Sequence, residues 1–143
     1  MTLEENKAIA RRYNEEIWGK GDLTVVDEIV SPDFFEHGTD MNGPNGVKQG
    51  AAFIHKTNSN IRITVEDQIA EGDKVMNRLE AHGIYVGGRN DVPDTAIGKQ
   101  WSITRMFYVI RIVDGKIVEV WHAHDELVIM KQLGAFRDGN ELP

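Results

Sequence analysis

Near the N-terminus, Ile9, Tyr13 and Ile17 recur at every fourth position, and Ala10 widens the same stripe. That spacing predicts an amphipathic helix. Thr2 and Glu5 stand ahead of it as an S/T-x-x-E capping box, whose side chains satisfy orphan N–H groups. Gly19 and Gly21 are expected to stop the helix, and Asp22 to cap a second, short one that buries Val25, Val26, Ile29 and Val30. Ser31-Pro32 should end that helix, because a residue before proline disfavours helical geometry. The stretch from Asp33 to Gly50 is turn-rich, with a third helix expected from about Pro44 to Lys56.

After Asn60 the period changes. Ile61, Ile63 and Val65 alternate with Arg62, Thr64 and Glu66, the pattern of a half-buried strand. Glu71-Gly72-Asp73 reads as a hairpin turn into a strand from Lys74 to about Val86. A Gly/Pro/Asp-rich loop leads to a strand over Lys99 to Val113, and Asp114-Gly115 is a strong hairpin signal. The last strand is expected from Lys116 to about His124, followed by a helix from Glu126 to Leu133 that stops at Gly134. The tail Phe136 to Pro143 is polar and expected to fray. Helices first, then a four-strand antiparallel meander, then a short helix make an α+β fold in a single domain over residues 1–143.

Composition narrows the chemistry. The 143 residues contain no cysteine, which excludes disulfides, thiolate metal sites and cysteine nucleophiles and fits a reducing, cytoplasmic setting. A net charge of -7 argues against nucleic acid as a partner. No apolar run approaches the roughly 20 residues of a spanning helix, so no membrane partner is expected. What remains is a chain able to enclose a small-molecule cavity, with carboxylate, imidazole and phenol as its reactive groups.

Several runs stand out together: Glu71-Gly72-Asp73-Lys74-Val75 with Arg78, Phe34-Phe35-Glu36-His37, and Gly43-Pro44-Asn45-Gly46-Val47-Lys48. The densest is Asp114 to Glu119, then Trp121, Asp125-Glu126-Leu127 and Gln132-Leu133-Gly134. These runs resemble the SnoaL-like polyketide cyclases of the NTF2-like superfamily. The resemblance implies a cone: a curved antiparallel sheet wrapped by the N-terminal helices around a deep pocket, commonly paired as a homodimer through the sheet. It also implies a pocket aspartate working as general acid/base in an intramolecular aldol-type cyclisation or isomerisation, with no metal or cofactor. Asp125 matches that aspartate. Gly83-Ile84-Tyr85 stands where the family often has Gly-Thr-His.

The expected catalytic residues are therefore Asp125, His37 on the segment leading to the pocket mouth, and Tyr85 in place of the family's histidine. Asp125 has a second reading as the N-cap of the last helix. Tyr13, Trp101 and Trp121 are expected to line the pocket as core-like aromatic walls suited to a small apolar or aromatic carbonyl compound. Arg105 is a candidate anion or carboxylate partner, and Trp18 is expected in the core. His122 and His124 share one strand face, and strict alternation puts Trp121, Ala123 and Asp125 on the other. On that reading both histidines lie at the surface or a dimer interface, and no metal site forms. Two alternatives stand beside catalysis of cyclisation. One is a non-catalytic ligand-binding dimer; the other is epoxide hydrolase-like activation of water, in which Arg105 and Asp125 would begin an Asp-Arg-Asp set.

Overall fold

The computed structural model describes residues 1–135, so the tail expected to fray lies outside the described residues. Helix α1 spans Leu3–Arg12, and Thr2 Oγ1 accepts from the Glu5 N–H at 3.0 Å as the capping box requires. The helix then widens into a π-helical turn over Tyr13–Gly19. A π turn holds more residues than an α turn, so Asn14 and Trp18 come round beside Tyr13 and Ile17 on the inner side. Asp22 Oδ1 accepts from the Thr24 N–H and Oγ1–H, opening α2 (Thr24–Ile29). Val25, Val26, Ile29 and Val30 are all buried. Helix α3 covers Gly43–Thr57 with Pro44 in its first turn.

Five strands follow the order β1-β5-β4-β3-β2 in one curved, unclosed sheet. They are β1 (Val30–Glu36), β2 (Asn58–Glu71), β3 (Lys74–Tyr85), β4 (Gln100–Val113) and β5 (Lys116–His124). The four antiparallel strands sit where the alternation puts them. β1 is the unexpected addition: it pairs parallel with β5 and makes the sheet mixed. Asp114 and Gly115 both have positive φ, the conformation of a primed two-residue hairpin.

Four register shifts in the antiparallel ladders bend the sheet. β3 runs straight, with Val75, Asn77, Leu79, Ala81 and Tyr85 all buried. Its neighbours carry extra residues: β2 between Ser59 and Arg62 and again between Val65 and Asp67, and β4 between Ile103 and Met106. In β5, Ile117 pairs with Ile112 and Glu119 with Arg111, so Val118 is a bulge. Each extra residue exchanges the inner and outer faces beyond it and adds twist. The helices cover the concave face, and the main core lies between them, with Tyr13, Phe34, Ile110 and Val120 among its fully enclosed side chains. A smaller cluster of Tyr85, Val92, Ala96 and Leu133 joins the β3–β4 loop to α4 (Glu126–Gln132).

Candidate functional site

The open end of the cone holds a cavity of about 330 Å³. Its helical wall is Asn14, Trp18, Phe53 and Ile54; its sheet wall runs from Ile63 through Leu79 and Ile103 to Tyr108 and His122. Ile129 and Leu133 of α4 close one side. The Gln132 amide fixes α4 by bonding both the N–H (2.6 Å) and the C=O (2.9 Å) of Ser102. The walls are mainly apolar, and the volume lies at the small end of the roughly 300–1,000 Å³ usual for small-molecule sites. A wider groove of about 630 Å³, bordered by Arg62, His82 and Ser102, is polar and open and does not enclose a ligand.

The polar groups in the cavity include two imidazole–carboxylate pairs. His122 Nδ1 lies 2.7 Å from Glu36 Oε1, and His124 Nε2 lies 2.6 Å from Glu126 Oε2. A carboxylate only accepts, so the bonded ring nitrogens donate. In the neutral form of each ring the free lone pair is then on Nε2 of His122 and Nδ1 of His124. The rings stack: Tyr108 on His122 at 4.8 Å and 11°, His122 on His124 at 5.4 Å and 1°. Glu36 is buried, and its second oxygen accepts from Thr39 Oγ1 at 3.3 Å. Glu126 Oε1 accepts from Arg89 Nη2 at 3.2 Å, and Arg89 is clamped bidentately by Asp91. The His124 hydrogen bond above all, then the Arg89 one, hold the Glu126 carboxyl below the usual carboxylate range against the opposing effect of burial. Burial, and secondarily the Glu36 charge, push the Tyr108 phenol well up.

The Val118 bulge decides which side chains reach this cavity. Without it, Ile117 and the odd-numbered residues after it would share the inner face; with it, Val120, His122 and His124 turn inward. Both histidines, expected at the surface or an interface, are thus cavity residues. Asp125 lies outside the lining and caps α4, with Oδ1 accepting from the Val128 N–H at 3.3 Å and Oδ2 3.7 Å from Arg105 Nη1. The Arg105 side chain is 79% exposed, and no second aspartate joins that pair among the described contacts.

The remaining expected residues divide among the core, the outer face and the cavity wall. His37 lies on the outer face, stacked on Trp121 at 4.4 Å and 7°, with Nε2 2.8 Å from Glu119 Oε2. His37 first, and Arg111 second, hold the Glu119 carboxyl low. Tyr85 is in the smaller core, where its hydroxyl accepts from the Arg89 N–H at 3.0 Å. Tyr13 is fully enclosed behind the cavity among Trp18, Phe34 and Tyr108. Trp101 does line the cavity, its indole N–H bonded to Asn58 Oδ1 at 2.8 Å. Trp18, expected in the core, also lines it. The His-x-His spacing is the sequence signal for the cavity histidines, and Glu36 stands in the Phe34-Phe35-Glu36-His37 run with no role of its own assigned from sequence. Among the described residues no group of three or more His, Cys, Asp or Glu side chains converges as a metal site.

A family model described as SnoaL-like polyketide cyclase matches residues 8–133. No curated protein sequence matches the chain. Among solved structures, TsrD from Streptomyces laurentii superposes with a TM-score of 0.85 at 22% identity, covering 95% of this chain and 99% of that one. A SnoaL-like polyketide cyclase from Agrobacterium tumefaciens gives 0.74 at 17% identity, over 94% and 99% of the two chains. At these identities the likeness shows the fold. IdmH from Streptomyces antibioticus is 28% identical over 92% of this chain and 99% of that one, with a TM-score of 0.74.

Proposed function

The chain belongs to the SnoaL-like polyketide cyclase family, and from that premise we propose that it catalyses aldol-type cyclisation or isomerisation of a small apolar carbonyl compound, with His122 as the general base. The observation that carries this reading is the His122–Glu36 pair in an otherwise apolar cavity. Glu36 fixes the ring and opposes the positive charge that develops on it. Nε2 of His122 takes a proton from a carbon next to a carbonyl, and the C–H electron pair becomes the enolate. That carbon attacks a second carbonyl carbon of the same molecule, a C–C bond forms, and the alkoxide oxygen recovers the proton from the imidazolium. Atoms and electrons balance without an oxidant, reductant or cofactor. Proton transfer of this kind contributes about 10²–10⁴-fold. Asp125 has a positioning part in this scheme: it caps the helix that walls the cavity.

The test is exchange of α-hydrogens in deuterated water, followed by NMR on a bicyclic aryl ketone such as 1-tetralone. The expected result is exchange above background with the native protein, reduced at least tenfold in His122→Gln. Equal exchange in the two proteins overturns the assignment. The family's pairing through the sheet supports a homodimer here as well. The convex face exposes Phe35, Phe107 and Val113, and Arg111 and His37 pair with Glu119 beside them.

A further inference from the structure

Three buried polar atoms of the π-helical turn have no hydrogen-bond partner: Asn14 Nδ2, Trp18 Nε1 and the Tyr13 hydroxyl. Buried polar groups are paired in the great majority of cases, so such a cluster calls for a partner. Asn14 is 1% exposed, and both it and Trp18 line the cavity.

The direction of the Asn14 amide is fixed by a chain of three amides that begins at backbone carbonyls, which can only accept. Gln68 Nε2 donates to the Lys7 C=O at 2.8 Å and to Asn77 Oδ1 at 2.9 Å. Asn77 Nδ2 donates to the Ala10 C=O at 3.1 Å and to Asn14 Oδ1 at 2.7 Å. Both carbonyls force the same polarity, so Asn14 spends its oxygen on Asn77 and keeps its NH₂ unpaired. The Trp18 indole only donates. Burial above all, with smaller effects of Tyr108 and Glu36, keeps the Tyr13 phenol protonated, slightly offset by the Trp18 N–H beside it. The cluster therefore offers several hydrogens and one acceptor oxygen, that of Tyr13. The other unpaired buried atom among the described residues, Asn6 Oδ1, is an acceptor, but it lies about 12 Å back along the helix. Even with the Trp18 N–H turned toward the Tyr13 oxygen, the cluster has more hydrogens than acceptors, and the Asn14 amide stays without one.

We propose that Asn14 and Trp18, backed by Tyr13, form a subsite for a carbonyl oxygen of the ligand on the helical wall, facing the sheet wall that carries His122. Both nitrogens are closed to water in this conformation. The proposed subsite requires the Trp18 ring to shift so that a ligand oxygen meets both nitrogens. The subsite rests on the proposed function and deepens it, since hydrogen bonds to the oxygen hold the charge that builds there as the α-proton leaves.

The test compares two ligands of the same shape, 2-acetylnaphthalene and 2-isopropenylnaphthalene, which differ by C=O against C=CH₂. The native protein is expected to bind the ketone about tenfold more tightly, the effect of one to two hydrogen bonds. Trp18→Phe and Asn14→Asp should each cut that preference about threefold or more, read as the ratio of ketone to alkene affinity within the same variant. The infrared band of the bound ¹³C-carbonyl should rise in both variants. Equal binding of the two ligands, no binding of the ketone, or a preference intact in Trp18→Phe overturns the subsite. Trp18→Phe, the milder change, decides the matter if Asn14→Asp fails to fold. These readouts need no turnover. Their failure leaves proton transfer by His122 standing, and the failure of His122→Gln to slow exchange leaves the ketone preference standing.

Discussion

Replacing Glu36 by Gln keeps the shape of the side chain and removes its charge. In the native protein the carboxylate stands 2.7 Å from His122 Nδ1 and is 3% exposed, so solvent screens the pair little. The ground-state change is a charge-assisted hydrogen bond, worth about 1.5–3 kcal/mol, for a neutral one worth about 1 kcal/mol. The difference of roughly 1 kcal/mol is the smaller part. When His122 takes the substrate proton its ring becomes a full cation, and two unit charges about 4 Å apart attract by about 4 kcal/mol at an effective dielectric of about 20. The loss of transition-state stabilisation should therefore fall between about 1 and 4 kcal/mol, a drop of about 5- to 10³-fold in the rate of α-hydrogen exchange. Ketone affinity should barely move, because Glu36 acts through the imidazole. Thr39→Val, which removes the 3.3 Å hydroxyl bond to the second oxygen together with the hydroxyl's bonds to the Glu36 C=O and the Met41 N–H but keeps the carboxylate, should cost less than tenfold. Exchange in Glu36→Gln within twofold of the native rate, in protein with a native circular dichroism spectrum, would refute the reasoning.

Further outcomes follow from particular contacts. A Cβ at Gly50 would lie 2.8 Å from Trp18 Cη2, so Gly50→Ala should displace that ring and weaken ketone binding, even though alanine favours the helix by about 1 kcal/mol; unchanged affinity counts against Trp18 as part of the wall. Glu126 is held below the usual carboxylate range by His124 and Arg89, so its stabilising effect is fully present above its unfolded pKa of about 4.3 and is lost as pH falls through its lower folded value. The melting-temperature gap between native protein and Glu126→Gln should accordingly close as pH drops below about 4, and a gap that persists unchanged to lower pH contradicts that sign. Phe107→Glu on the convex face should shift a homodimer toward monomer in sedimentation velocity, whereas an unaltered profile places the contact elsewhere.

The periods of the sequence mark the long elements because each buries one face and exposes the other. β1 escaped that reading: it is a short edge strand that begins inside turn-rich text around Ser31-Pro32, and its parallel partner lies far along the chain. The π turn is equally hidden, since Ile9, Tyr13 and Ile17 fit an α-helix until the wider turn brings Asn14 and Trp18 inward. The larger consequence comes from Val118. Ile117 and Val118 are both β-branched and equally at home in a strand, so nothing in the pattern betrays a bulge between them. One extra residue exchanges the faces of β5 and replaces Trp121 and Asp125 by His122 and His124 as cavity residues. Asp125 was legible as a cap, and the resemblance to the cyclases pointed to the end of β5, where His122 and His124 rather than Asp125 line the cavity.

The most direct test of this account compares α-hydrogen exchange of a bound aryl ketone in His122→Gln, Asp125→Asn and His37→Gln, each confirmed folded. The account predicts that His122→Gln loses at least tenfold, while Asp125→Asn, which retains a capping oxygen, and His37→Gln on the convex face stay within about threefold of the native rate. Exchange that survives in His122→Gln and disappears in Asp125→Asn would contradict it.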